Sequence, residues 1–135
     1  MIIRKHSVVF LAAALVLALA GTALAADNTV GIKSKEGQGS YLVDGKGMTL
    51  YYFKNDSPGK SVCAGPCIEK WPLFYIDTVA VPPELKAGDF GTITRDDGKK
   101  QTTYKGIPLY YFGGDKVAGD TKGQGVKDIW FVVQP

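Results

Sequence analysis

Three sets of side chains in this sequence carry chemical potential: two cysteines, two equivalently placed aspartates and a dense set of aromatics. Cys63 and Cys67 enclose Ala64-Gly65-Pro66, a short and turn-prone bridge. In an oxidising compartment such a pair closes as a local disulfide, which is the state expected here. The loop-entropy relation values so small a ring at about 2 kcal/mol. A redox-active dithiol fits less well, because thioredoxin-like sites separate their cysteines by two residues and no helix is expected to follow this pair and lower a thiol pKa. Metal binding requires ligands beyond two thiolates, and covalent haem attachment requires Cys-x-x-Cys-His. No metal ligand set and no cofactor are assigned.

Asp56 and Asp115 invite comparison with a paired-carboxylate active site. Glycosidase chemistry needs two carboxylates in different environments facing one cleft. Residues at equivalent positions of a repeat are instead expected to share one environment. An aspartate just after a strand more simply forms a turn, its carboxylate accepting a backbone N–H two residues on. The glycine-rich stretch 113–125 lacks the residue order of a phosphate-binding loop and reads as a surface loop. A calcium site from Asp115, Asp120 and nearby carbonyls is the alternative for that stretch.

The N-terminus limits the remaining chemistry. Arg4 and Lys5 precede an apolar run over residues 8–20, and Ala23-Leu24-Ala25 offers a small-x-small cleavage pattern. The run is shorter than the ~20 residues that span a bilayer as a helix. Residues 1–25 are therefore expected to be a signal peptide cut after Ala25, placing the protein in the periplasm or outside the cell. Removal of Arg4 and Lys5 takes the formal charge from +3 to +1 and takes away the single histidine, His6. The Ser-His-Asp triad and axial histidine ligation of haem go with it. No catalytic residue is assigned. Nucleic-acid binding lacks a basic patch, and neither cysteine lies near the cut to accept a lipid.

The elements that must position these residues come from a duplication. At an offset of 59, Lys46-Gly47-x-x-Leu50-Tyr51-Tyr52-Phe53-x-x-Asp56 realigns with Lys105-Gly106-x-x-Leu109-Tyr110-Tyr111-Phe112-x-x-Asp115, and Trp71 falls on Trp130. Upstream, one residue of slip brings Val30-Gly31 onto Phe90-Gly91. The resulting organisation is unit 1 over residues 26–79, a Pro82-Pro83 linker over 80–88, and unit 2 over 89–135. Each unit reads as short β-strands. Asp44-Gly45-Lys46-Gly47 joins strands 40–43 and 48–53, Asp97-Gly98 joins 91–95 and 100–104, and Lys105-Gly106 leads into 107–112. A last strand begins near each tryptophan, and no helical period emerges after the leader.

The motif strands are apolar on both faces, as strands covered on both sides are. The fold is predicted to be all-β: two tandem units of short antiparallel strands packed as one pseudo-symmetric domain. Most aromatics, including Tyr41, Phe74 and Tyr104, are expected in the core. Part of the ladder, above all at the seam between units, is a candidate stacking surface for a glycan, haem, quinone or protein partner.

Tyr51, Phe53 and Asp56, repeated as Tyr110, Phe112 and Asp115, combine with Ser61-x-Cys63-x-Gly65-x-Cys67-x-x-x-Trp71-Pro72 and Trp130 into a recognisable pattern. The chain resembles a family of bacterial secreted repeats, labelled predicted lipoproteins with a Tyr-x-aromatic-x-x-Asp motif. The resemblance implies an exported tandem-repeat protein with no assigned biochemical role. The second unit departs from the first in carrying Lys122 and Val126 at the cysteine positions. Function then reads as a non-enzymatic binding or cell-envelope module, with an unknown small molecule, glycan or envelope protein as partner. The competing class is a redox or electron-transfer accessory using Cys63 and Cys67 or an associated haem or metal.

Overall fold

The computed structural model describes residues 29–135; the expected leader and its cut after Ala25 lie outside the described residues. In chain order the elements are β1 (Val30–Lys35), β2 (Gly39–Asp44), β3 (Tyr51–Phe53), a helical turn α1 (Pro66–Lys70), β4 (Phe90–Thr94), β5 (Lys100–Tyr104), β6 (Ile107–Pro108) and β7 (Trp130–Val132). All strand pairs in the named sheets are antiparallel. No described helix is long and apolar enough to cross a membrane.

Each unit opens with a hairpin. β1 pairs with β2 from Val30↔Asp44 outward, and β4 pairs with β5 from Phe90↔Tyr104. Asp97 closes the second hairpin by accepting the Lys99 N–H two residues on at 2.9 Å, the turn-former role expected of aspartate. The matching registers locate the one-residue slip between units. It lies in the next turn, which runs Asp44-Gly45-Lys46-Gly47-Met48 in unit 1 and Tyr104-Lys105-Gly106-Ile107 in unit 2. Lys105 (φ 50°) and Gly106 (φ 84°) both take left-handed conformations, the requirement of a tight two-residue turn. The wider turn of unit 1 is filled by Asp44, whose Oδ1 accepts the Lys46 and Met48 N–H groups at 2.9 Å each.

Beyond the hairpins the units exchange strands. β3 of unit 1 pairs with β7 of unit 2, Tyr51↔Val132 through Phe53↔Trp130. Reciprocally, the Tyr111 and Gly113 N–H groups of unit 2 bond the Pro72 and Lys70 carbonyls of unit 1, both at 2.7 Å. The Leu42 N–H reaches the Val133 carbonyl at 2.8 Å, and its counterpart Thr102 reaches Phe74 at 2.9 Å. At the centre Tyr51 and Tyr110 trade backbone hydrogen bonds of 2.8 and 2.9 Å, so a local twofold axis passes between them. Each hairpin is completed by the tail of the other unit.

This exchange explains why both faces of the motif strands are apolar. One buried cluster joins Val30, Leu42 and Leu50 of unit 1 to Tyr104, Leu109 and Val133 of unit 2. A second joins Tyr41, Tyr51, Cys63 and Trp71 to Tyr110 and Trp130. Units of this size bury too little surface to be secure alone, whereas the pair closes one shared interior.

Three local features differ from the sequence expectation, and the first is that the strand expected near Trp71 is reduced to the single Leu73↔Tyr110 bridge, unlike its counterpart β7. The strands foreseen over 48–53 and 107–112 are shorter, because Pro108 lacks a backbone donor and the following chain makes only isolated bridges, such as Tyr51↔Tyr110. The segment between the cysteines and Trp71 forms α1, five residues with a proline in its first turn. Such a turn is too short to show a helical period in sequence.

Candidate functional site

The repeated aromatics meet on the local twofold. Trp71 and Trp130 stack with centroids 3.8 Å apart and planes 2° from parallel. Phe53 covers the outer face of Trp130 at 4.3 Å, and Phe112 covers Trp71 at 4.4 Å, giving a four-ring column. Tyr51 and Tyr110 meet Trp71 and Trp130 edge-on at 5.4 and 5.1 Å, the offset geometry that ring quadrupoles favour. The seam between the units is thus the interior of the protein, and its tryptophans are buried.

The motif aspartates are held by the tyrosines of the opposite unit. The Tyr51 hydroxyl donates to Asp115 Oδ2 and the Tyr110 hydroxyl to Asp56 Oδ2, each at 2.6 Å. The remaining oxygens accept backbone N–H groups: Asp56 Oδ1 from Val62 at 2.7 Å and Asp115 Oδ1 from Lys122 at 2.9 Å. The donors lie six and seven residues on, rather than the two expected from sequence. These carboxylates close whole loops and latch one unit to the other, while the two-residue turn role falls to Asp44 and Asp97. Burial raises the pKa of Asp56 and of Asp115 against the opposing effect of the tyrosine hydrogen bonds. Burial together with the adjacent carboxylates pushes Tyr51 and Tyr110 far above the usual phenol range, so both stay protonated donors.

The loops behind the latches are built differently. In unit 1 the chain is stapled by the Cys63–Cys67 disulfide, with Cα atoms 5.4 Å apart. Ser61 bonds the Tyr110 hydroxyl at 2.6 Å, and the buried Arg95 guanidinium bonds both the Ser61 hydroxyl and the Cys63 carbonyl. Arg95 also pairs with Asp97 at 3.2 Å. Cys63 is buried, which shields that sulfur from exchange partners. The loop of unit 2 has no staple. There Gly123 N–H donates to the Tyr51 hydroxyl at 3.1 Å. A Cβ on Gly123 would come within 2.9 Å of Tyr51 and Trp71, so only glycine allows the approach. Asp120, weighed above as a calcium ligand with Asp115, accepts the Lys116 and Val117 N–H groups, which lower its pKa.

The twofold is broken most strongly beside the slipped turn. In one half the Tyr111 hydroxyl donates to Asp44 Oδ2 at 2.8 Å. In the other half Tyr104 occupies the place of Asp44, its buried ring against Phe90 at 4.9 Å. The counterpart of Tyr111 there is Tyr52, and nothing among the described residues accepts from its hydroxyl. A cleft of about 530 Å³ opens between Tyr52, Phe131 and Tyr104, with Lys54, Lys105 and Gln124 also on its walls. Tyr52 and Phe131 are cross-strand partners, half-buried, with rings 5.8 Å apart. The Lys105 ammonium lies 5.2 Å from the centre of the Tyr104 ring.

Sequence reasoning brought together the eight motif residues, and Ser61 with the cysteine pattern, but missed Asp44, Arg95 and Tyr104 as members of this system. The signal for them was the one-residue slip. With it applied, Asp44 falls on Tyr104 and Lys35 on Arg95. Lys35 and Arg95 make parallel contacts, Lys35 Nζ reaching Thr121 Oγ1 at 3.1 Å as Arg95 reaches Ser61.

No curated protein matches the chain. No solved structure matches it either. A family model, Lipoprotein_15, described as a secreted repeat of unknown function, matches residues 34–74 and 91–134, one stretch in each unit. The chain belongs to this family of secreted repeats.

Proposed function

We propose that the protein is an exported, non-enzymatic binding module, and that the cleft beside Tyr52 is where its ligand sits. One observation carries the reading. The groups with reactive potential are tied into the fold, whereas Tyr52 and its neighbours are left half-exposed around a concavity of ligand size. Asp56 and Asp115 have both oxygens engaged, Tyr51 and Tyr110 are buried donors, and Cys63 is enclosed. The secreted character of the family supports action in the periplasm or outside the cell.

The test is a fragment screen followed by amide chemical shifts on the exported, disulfide-intact chain. Hits are expected to perturb Tyr52, Lys105, Gln124 and Phe131 together. Hits spread evenly over the surface would remove the cleft as the binding site. Alkylation without reduction, read by intact mass, separates the redox alternative. A binding module takes up no alkyl group, while two added groups would move the Cys63/Cys67 dithiol to the front.

A further inference from the structure

We propose that the cleft binds a ring-shaped ligand bearing a carboxylate, and that this carboxylate does beside Tyr52 what the Asp44 side chain does beside Tyr111. The proposal rests on the cleft being the binding site and adds the chemical class of what enters it.

The molecule supplies its own comparison. The local twofold equates Tyr52 with Tyr111, Lys105 with Lys46, and Tyr104 with Asp44. In the closed half an aspartate sits between the turn and the tyrosine. One oxygen accepts two backbone N–H groups and the other accepts the Tyr111 hydroxyl. In the open half the carboxylate is gone, the turn is one residue tighter, and the tyrosine donor remains. Lys54 and Lys105 are exposed on the same walls. A hydroxyl donor and two ammonium groups around an apolar cleft are complementary to an anionic acceptor. Asp56, the carboxylate on the wall, has its oxygens committed to Tyr110 and Val62, and burial favours its neutral form.

The body of the ligand follows from the remaining lining. The Tyr52 and Phe131 rings lie side by side on neighbouring strands, inclined by 33°, and form a platform for a flat or ring-shaped face. Two sources share this chemistry, an aromatic acid and a uronic-acid sugar, and the probes separate them.

The experiment titrates the isotope-labelled mature chain with 2-naphthoate, with digalacturonate and with the neutral 2-naphthamide. At least one acid is expected to shift Tyr52, Lys105 and Phe131 saturably, and the acid that binds identifies the source. If 2-naphthoate is that acid, the amide should bind roughly tenfold more weakly, the scale of losing a charge-assisted hydrogen bond. Tyr52→Phe should weaken the acid by roughly the same factor. Tyr104→Asp copies the closed half and should abolish binding. Should that core variant not fold, Tyr52→Phe at a half-exposed position still decides the matter. Equal binding of naphthoate and naphthamide at the cleft would overturn the carboxylate and leave the cleft standing. Shifts confined to another surface would overturn both. Absence of any acid-induced shift up to ~10 mM, an affinity too weak for a dedicated site, would also overturn the proposal.

Discussion

The two sides of the twofold do the same mechanical work with different means. On the side of Asp56, the latch from Tyr110 is backed by Ser61, the buried Arg95 and a disulfide. On the side of Asp115, the latch from Tyr51 is backed by a backbone N–H that approaches through the gap left by Gly123. The tyrosine–aspartate bonds have equal length, so the motif is what both sides need and the backing is what each side was free to vary. The same contrast recurs at the slipped turn. Where Asp44 answers Tyr111 the structure is closed, and where Tyr104 replaces it a cleft appears.

The most severe way to break the equivalence is to remove one tryptophan. Trp71→Ala and Trp130→Ala should each lower the unfolding free energy by about 3–5 kcal/mol, measured by urea denaturation. The losses should be similar, since each ring stacks on the other and on one phenylalanine. A large loss at one position alone would show that the column is not shared.

The latches come next. Tyr110→Phe and Tyr51→Phe should each cost about 1–3 kcal/mol, the range for leaving a buried acceptor unsatisfied. The two losses should be similar, because each hydroxyl serves two partners, Asp56 and Ser61 for Tyr110 and Asp115 and the Gly123 N–H for Tyr51. Replacing both Cys63 and Cys67 by alanine should cost about 2 kcal/mol and leave the rest of the fold intact. Gross unfolding in that variant would mean that Arg95 and Ser61 cannot hold the loop without the staple.

The smallest effect is the response to pH. Asp56 and Asp115 have raised pKa values, so the folded state holds their protons more tightly than the unfolded chain does. Their contribution is fully present below the ordinary carboxyl value and is lost as pH rises through the raised ones. Asp97 and Asp120 are lowered, mainly by backbone N–H groups, so their contribution is present above the ordinary value and is lost as pH falls through the lowered ones. Tyr51 and Tyr110 add a loss above about pH 10, where unfolded-state phenols ionise and the buried ones do not. Denaturation curves on the Asp56→Asn/Asp115→Asn double variant should lose the decline just above the ordinary carboxyl value and keep the acid-side rise. An unchanged decline would place its source elsewhere.

Much of this architecture is legible in sequence, for identifiable reasons. The Asp97-Gly98 and Lys105-Gly106 turns depend on local backbone preferences, and the repeat exposes the equivalence of Tyr51 with Tyr110 directly. The exchange of strands is not legible. Both units carry the same pattern, so pairing β3 with its own unit or with the other satisfies the same alternation of side chains. The latch was obscured for the same reason, since Tyr51 and Asp115 lie 64 residues apart. Nothing local to Arg95 signals its burial, because only the neighbouring unit supplies the hydroxyl and carbonyl that enclose it. The cleft follows from one residue of slip, visible in the alignment but without consequence until Asp44 is seen to bond Tyr111.

Neither unit is complete without the strands of the other. Residues 26–79 with the disulfide intact, and residues 80–135, can be prepared separately and mixed, with folding followed by circular dichroism and amide dispersion. Two unfolded fragments are expected, which combine one to one into the spectrum of the whole chain. A fragment that folds by itself, or a mixture that stays unfolded although each fragment is soluble, would contradict this interdependence.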